Sequence, residues 1–173
     1  SKPMRRLVMG GMQIGHGKLN TVIRRQLKQL QTRGRGRAIV ISGIGGSGKT
    51  STLERIRARI ALSGVRTILL SPAEEQATPL FDLLKRLTSS EAGATIEQKR
   101  DIGRALSEAL AGQTSALLLD NIQRLDDFDW ATWEELVRLA NKQALLLIGT
   151  IAQSEATRIR KWRSRARRRS NLL

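Results

Sequence analysis

The sequence predicts an α/β fold, in which helices cover a mainly parallel sheet on both faces. Four segments predicted to be strands, three of them mainly apolar, lie at 38–41, 65–70, 116–120 and 144–148. Segments with helical periodicity separate them, and such alternation is typical of parallel sheets. A glycine-rich turn joins the first run to a helical pattern. At 173 residues the chain suits a single domain.

The segment before the first strand is predicted to be an extended arm followed by a helix. Residues 1–17 lack periodicity, whereas residues 18–32 place their apolar side chains on one helical face. A basic, glycine-rich linker at 32–37 then leads into the strand. Its composition fits a solvated loop and a phosphate-contacting hairpin equally well.

Turn and capping signals delimit the next two helices. Ser63-Gly64 ends a helix predicted over 52–62. Thr78-Pro79 supplies a cap residue followed by Pro, and this pattern begins a helix over 79–87.

The same kind of signal delimits the second half of the chain. Thr95 to Gln98 has capping-box spacing, which opens a helix that runs to about Ala111. A further helix is predicted over 130–140. The last strand is predicted over Ala144 to Ile148 and ends at Gly149-Thr150.

The turn after the first strand carries the spacing G-x-x-x-x-G-K-[ST]. Glycines let successive backbone N–H groups converge on phosphate oxygens, and the following helix directs its positive N-terminal end at the same anion. Lys49 is expected to reach the β- and γ-phosphates, and the Thr50 hydroxyl to bind Mg²⁺. The residues predicted to bind a nucleoside triphosphate are Gly43, Gly45, Gly46, Ser47, Gly48, Lys49, Thr50 and Ser51.

The third strand ends in a carboxylate, Asp120. Ligands of parallel α/β sheets bind at the carboxyl ends of the strands, where the phosphate loop, Asp120 and Thr150 are all expected. Asp120 would there hold Mg²⁺ beside Thr50. The alternative is an Asp that merely caps the following turn.

The order of ISGIGGSGKT, VRTILLSP, ALLLDNIQRL and ALLLIGT resembles the AAA+ P-loop ATPases. It is most similar to the branch with the transposition-regulator (Mu B-like) and general-secretion ATPase A proteins, over about residues 35–155. The resemblance implies a P-loop NTPase three-layer sandwich with ATP and Mg²⁺ as cofactors. It also implies that Thr150 is the polar sensor of the γ-phosphate or attacking water.

The resemblance implies three regions along the chain. The P-loop ATPase core is expected at 38–157, after a basic arm and helix at 1–37 and before an Arg-rich tail at 158–173. The helical lid that this family carries after its sensor strand is expected to be missing or truncated, and two alternatives stay open: the sequence is a fragment of a longer protein, or the lid has been lost.

The catalytic positions implied by the resemblance are Lys49, Thr150 and Asn121. Asn121 departs from the family, which has a catalytic Glu after the Walker B Asp. Since Asn cannot accept a proton from water, the general base of the family is missing at this position. Three alternatives stay open: a slowly hydrolysing switch, a carboxylate from Asp126, Asp127 or Glu74/Glu75, or a nucleotide bound for structure.

Charge is concentrated at the two ends of the chain. The 31 Lys and Arg outnumber the 15 Asp and Glu, for a net charge of +16, and residues 1–37 and 158–169 contain no acid. Such tracts suggest a polyanion, and the scarcity of aromatic side chains favours duplex DNA over stacked single strands. The predicted contacts are Arg33, Arg35, Arg37, Arg163, Arg165, Arg167, Arg168 and Arg169.

Composition also argues against several classes of protein. The chain has no Cys and one His, so a disulfide framework, a thiolate nucleophile and a Cys- or His-based metal cluster are not expected. No leader and no apolar run of bilayer length is evident in the sequence, and a cytoplasmic protein without a membrane partner is expected.

Together these observations predict an ATP-binding AAA+ switch that assembles as a homo-oligomer on nucleic acid, and specifically a DNA transposition regulator on duplex DNA. The alternative is a STAND-type signalling or scaffold module whose basic residues contact protein. The segment from Gly15 to Asn20 is loosely similar to the nucleotide-contacting N-terminal segment of that group.

Overall fold

The structure, a computed structural model, describes residues 6–7, 16–43, 48–71, 78–87 and 102–152. The strands are β1 (Arg6–Leu7), β2 (Arg37–Gly43), β3 (Arg66–Leu70), β4 (Ser115–Leu119) and β5 (Leu145–Ala152). The helices are α1 (His16–Arg33), α2 (Gly48–Leu62), α3 (Pro79–Leu87), α4 (Ile102–Ala111) and α5 (Asp127–Ala140), with a short 3₁₀ turn at Ile122–Arg124.

The strands form one sheet in the order β1-β2-β5-β4-β3. All neighbours pair in parallel except β1, which lies antiparallel against β2 at the edge. The predicted parallel sheet is therefore confirmed, with one short antiparallel strand added. Leu117, Leu118 and Ile148 in the central strands are fully buried, which is why the sequence of these strands is a continuous apolar run.

Helices cover the sheet in two layers, because successive side chains of each strand point to opposite faces. On one face, α1 and α2 pack against the even-numbered Leu118, Leu146 and Ile148. On the other, α3, α4 and α5 pack against the odd-numbered Leu117 and Leu147. The result is the predicted three-layer α/β sandwich.

The predicted helix over 18–32 is an integral part of one layer. Its buried side chains recur at helical spacing and contact the sheet beside those of α2; they are Leu19, Ile23, Leu27 and Leu30. The linker after it passes close to β5, since a Cβ on Gly36 would clash with the Leu145 carbonyl oxygen. Only glycine allows this approach of the two backbones.

Several element boundaries differ from the prediction. The helix predicted from residue 52 begins at Gly48, so the end of the glycine-rich motif is already helical. The helix predicted from residue 130 begins at Asp127, because Asp126 caps it and accepts a hydrogen bond from the Asp129 N–H at 2.8 Å. The predicted capping box at Thr95 to Gln98 lies outside the described residues.

The last strand extends beyond its predicted end at Gly149-Thr150. β5 continues through Gly149 and Thr150 to Ala152 because β2 runs beside it as far as Gly43. Within the described ranges, no helix is both long and apolar enough to cross a bilayer.

Candidate nucleotide-binding site

The predicted phosphate loop joins β2 to α2. The strand ends at Gly43 and the helix begins at Gly48, with four residues between them. The backbone of Lys49 and Thr50 forms the first turn of α2, and Ser51 follows with an exposed side chain. Gly45, Gly46 and Ser47 lie outside the described residues. A helix that begins here places a partial positive charge and unpaired N–H groups at the end of β2.

The strand register brings the other predicted site residues to the same edge of the sheet. Ile41 in β2 pairs with Thr150, and Leu119 at the end of β4 pairs with Gly149. Asp120 follows Leu119 directly and therefore lies level with Thr150. The end of β2, the carboxylate of Asp120 and the hydroxyl of Thr150 all occupy the carboxyl edge of the parallel strands.

Asp120 and Thr150 are joined by a hydrogen bond inside the protein. The Thr150 hydroxyl donates to Asp120 Oδ1 at 2.5 Å, and both residues are buried, at 1% and 3% exposure. The hydroxyl oxygen also accepts the backbone N–H of Asn121 at 2.9 Å. The Asp120 N–H donates to the Leu70 carbonyl oxygen at 2.9 Å, which fixes the end of β4 to β3. One threonine therefore orients both residues that follow β4.

Asn121 adopts a left-handed backbone conformation, with φ 55° and ψ 58°. Among residues other than glycine, Asn is one of the few that tolerate this region. Its side-chain oxygen accepts a hydrogen bond from Gln123 Nε2 at 3.2 Å. Sequence reasoning gave Gln123 no role, and no sequence signal marked it, because the contact depends on the backbone turn at Asn121.

The alternative sources of a catalytic carboxylate have different environments. Asp126 caps α5 through its Oδ1 atom, whereas Asp127 is exposed in the first turn of that helix. Glu74 and Glu75 lie outside the described residues.

The buried carboxylate of Asp129 was also missed by the sequence reasoning. It accepts hydrogen bonds from the N–H groups of Leu80 at 2.7 Å and Phe81 at 3.2 Å, so a residue of α5 caps α3 from another helix. Burial raises the pKa of Asp129 to about 6; the two backbone hydrogen bonds lower the pKa, and Asp126 and Asp82 raise it further. The acidic run Asp126-Asp127-Phe128-Asp129 was the sequence signal that could have pointed to this carboxylate.

The predicted nucleic-acid contacts in the linker lie at the opposite edge of the sheet. Arg33 ends α1, Arg35 is exposed in the linker, and Arg37 is half-buried at the start of β2. Arg35 and Arg37 line an open depression of about 390 Å³ between α1 and the end of α5. The structure thus separates these arginines from Asp120. The predicted contacts in the tail, Arg163, Arg165, Arg167, Arg168 and Arg169, lie outside the described residues.

The donor set at the carboxyl edge fits a hard cation. Asp120 supplies carboxylate oxygens, and Mg²⁺ commonly takes one or two carboxylates together with water and substrate phosphates. Among the described residues, no group of three or more His, Cys, Asp or Glu side chains could hold a metal by itself. A cation at this edge would therefore need phosphate oxygens as further ligands, beside the predicted ligand Thr50.

The sheet order, the β2–α2 junction and the carboxylate at the end of β4 together define the α/β fold of the P-loop NTPases. Comparison of the sequence with protein families gives a match to the AAA domain over residues 32–159. This match covers well over half of the chain, which therefore belongs to the AAA family of nucleotide-binding ATPase domains. No curated protein matched the chain.

Solved structures support the same fold at low sequence identity. Drosophila ORC bound to AT-rich DNA and Cdc6 superposes with a TM-score of 0.51 at 16% identity, over 80% of this chain and 50% of that chain. Drosophila ORC bound to DNA gives a TM-score of 0.50 at 17% identity, over 78% and 80% of the two chains. The chain therefore spans about half the length of the first of these relatives.

Proposed function

We propose that the protein is an AAA+ switch that binds Mg·ATP at the carboxyl edge of its sheet and assembles on duplex DNA when ATP is bound. The observation that carries the nucleotide part is the junction between Gly43 and Gly48, which lies at the same edge as the Asp120–Thr150 pair. A helix N-terminus, a lysine and a buried carboxylate are together the parts that a triphosphate with Mg²⁺ requires.

Each predicted residue has a role in this proposal. Backbone N–H groups of the loop and Lys49 bind the phosphates, and Thr50 and Asp120 hold Mg²⁺, which would neutralise phosphate charge. Thr150 holds Asp120 in place through its hydroxyl. For Thr150 to act also as the sensor of the γ-phosphate, this hydroxyl must exchange Asp120 for the nucleotide.

The residue at position 121 supports slow hydrolysis. Asn121 offers an amide where a general base would be needed, and the amide oxygen is already bonded to Gln123. General-base assistance contributes on the order of 10²- to 10⁴-fold to a rate, and its loss would prolong the ATP-bound state. A long-lived ATP state suits a switch that stays assembled until hydrolysis releases it.

The DNA part of the proposal rests on charge. The net charge of +16 and the acid-free tracts 1–37 and 158–169 fit a polyanion better than a neutral partner. The similar Drosophila structures hold DNA, but at 16% and 17% identity their likeness supports only the fold. We propose the Mu B-like branch, and hence transposition regulation, on the motif order and this charge.

Calorimetry with Mg·ATP tests the nucleotide site. Loss of the charged phosphate contact in Lys49→Ala should weaken binding by about 10- to 100-fold. The matched control is Lys142→Ala, which removes an exposed lysine at the opposite edge and should bind like the wild type. Equal binding of Mg·ATP by both variants would reject the proposal that this loop binds the phosphates.

Gel shifts with duplex DNA test the switch. We expect tighter binding and larger assemblies with Mg·ATP than with Mg·ADP. Binding that ignores the nucleotide, without assembly, would reject the switch and leave an electrostatic DNA binder. Retention of acidic proteins in place of DNA would favour the signalling alternative.

A further inference from the structure

The two helical layers carry very different charges. The outer side chains of α1 and α2 are rich in exposed cations, which are Arg24, Arg25, Lys28, Arg33, Arg55, Arg57 and Arg59. These two helices contain a single acid, Glu54, and it already pairs with Arg57 at 2.9 Å. The layer of α3, α4 and α5 instead mixes acids and bases, as in the pairs of Lys85 with Asp82 and Arg138 with Glu135.

The cations of both helices lie on the outer side of the same layer. The apolar faces of α1 and α2 pack side by side on the same side of the sheet, which leaves their opposite faces exposed together. Gln31 Nε2 near the end of α1 donates to the Ser63 carbonyl oxygen after α2 at 2.9 Å, so the two C-terminal ends lie together. We call the exposed side chains Arg24, Arg25, Lys28, Arg55 and Arg59 the α1–α2 basic face.

Folding alone does not account for this charge. Arg33 and Arg59 lie in the last turns of their helices, where a cation stabilises the helix dipole. Arg24, Arg25, Lys28 and Arg55 lie in helix interiors, where no such benefit exists. Arg24 and Lys28, and likewise Arg55 and Arg59, are also like charges four residues apart, a spacing at which they repel.

Within the part of the chain that the structure describes, none of the five residues of this face makes an ion pair. A surface that retains repelling cations without acids to balance them is suited to an external polyanion. It is assembled from α1, which lies in the basic N-terminal region 1–37, and α2, which lies in the predicted core 38–157, so the division of the sequence into these regions does not reveal it.

The same surface favours a duplex over other polyanions. No aromatic residue occurs before Phe81, so α1 and α2 offer no platform on which single-stranded bases could stack. Leu62 is the single large apolar side chain exposed among the described residues, too little for insertion into a membrane. The 18 residues of α1 extend about 27 Å, which is roughly three quarters of one turn of a duplex.

We propose that the α1–α2 basic face is a docking surface for the phosphate backbone of duplex nucleic acid, an inference that rests on the proposed DNA binding and adds where it occurs. The contacts are sequence-independent because they reach phosphates only. The surface includes the helix that begins at the phosphate loop, whereas Arg33, Arg35 and Arg37 lie beyond its far end.

The test compares two variants that lose the same charge. The face variant is Arg24→Gln, Lys28→Gln, Arg55→Gln and Arg59→Gln. The control variant, on the other layer, is Lys85→Gln, Arg86→Gln, Arg104→Gln and Lys142→Gln, all at exposed positions. Affinity for a 30-base-pair duplex is measured with Mg·ATP across a salt series, and Mg·ATP binding and the midpoint of thermal unfolding are measured for each protein.

We expect the face variant to lose about 10- to 1,000-fold in affinity near 0.1 M salt and to show a salt slope shallower by about 3 to 4. Its unfolding midpoint should equal or exceed that of the wild type, because repulsive pairs are removed. If the quadruple variant does not fold, the two pairwise variants, Arg24→Gln/Lys28→Gln and Arg55→Gln/Arg59→Gln, make the same comparison at half the charge.

Equal losses in both variants, or no loss in the face variant while the wild type binds, would overturn the docking surface and leave the proposed DNA binding intact. No binding by the wild type at low salt would overturn the DNA part of the proposed function as well. Polyglutamate that competes as well as duplex DNA, charge for charge, would overturn the choice of partner.

Discussion

Thr150 Oγ1 lies 2.5 Å from Asp120 Oδ1, and this hydrogen bond joins the ends of two strands that are 30 residues apart in the chain. The same hydroxyl oxygen accepts the N–H of Asn121. The carboxylate that we assign to Mg²⁺ is therefore held by a neighbouring strand, and its position depends on the register of β4 against β5.

Loss of the Thr150 hydroxyl should weaken both stability and nucleotide turnover. In Thr150→Val, the buried Asp120 carboxylate loses the hydrogen bond from the Thr150 hydroxyl, and the Asn121 N–H loses its acceptor on the same oxygen. The expected cost is about 1–3 kcal/mol. Thr150→Ser keeps the hydroxyl and should recover most of this. Urea unfolding and ATP turnover are the measurements.

The matched control for this change is Thr132→Val. Thr132 is equally buried, but its hydroxyl donates only to the Phe128 carbonyl oxygen of its own helix, at 3.3 Å, where such a bond adds little. Equal stability losses at positions 132 and 150 would contradict a special role for the Asp120 contact.

Asn121→Glu should restore a carboxylate at the cost of stability. The left-handed backbone conformation at this position disfavours Glu by about 1 kcal/mol or more. Glycine, in the variant Asn121→Gly, adopts the same conformation without strain. We expect a lower urea midpoint for the Glu variant than for the Gly variant, together with faster ATP hydrolysis. A Glu variant as stable as the wild type would argue against the backbone strain.

Asp129 should make stability depend on pH between about 4 and 6. Because its pKa is raised to about 6 in the folded protein, the folded state binds the proton more tightly than the unfolded state does. The contribution of this group is therefore fully present at low pH and declines as the pH rises through 6.

The variant Asp129→Asn isolates this effect from other titrating groups. The free energy of unfolding of the wild type, minus that of the variant, should be larger at pH 4.5 than at pH 7 in urea titrations. A difference that stays constant, or that grows with pH, would show that the pKa of Asp129 is not raised.

Gly149→Ala should destabilise the protein by overpacking. A Cβ there would lie 2.9 Å from Ile122 Cγ2 and 3.1 Å from Trp133 Cζ2, and such crowding typically costs about 1–3 kcal/mol. Gly112→Ala is the control, because its new Cβ would meet no atom within 4 Å. Thermal unfolding that ranks the two variants in the opposite order would contradict this packing.

Much of the fold could be predicted because its signals are local. The apolar run of β4 has the length and full burial of a central strand, and β3 was placed correctly although it lies half-buried at the edge of the sheet. Thr78-Pro79 marked the start of α3 correctly. The end of β5 could not be predicted from local signals. Gly149 interrupts the apolar run, but pairing with β2 continues the strand to Ala152.

The sequence by itself determined the alternation of strands and helices, the phosphate-loop spacing and the positions of Asp120 and Thr150 in the chain, because periodicity and turn chemistry act over a few residues. Only the tertiary structure decided that these two side chains bond to each other, that Asp129 caps α3, and that the cations of α1 and α2 form one face. Such relationships depend on strand register and helix packing, which bring distant residues together and leave no local pattern in the chain.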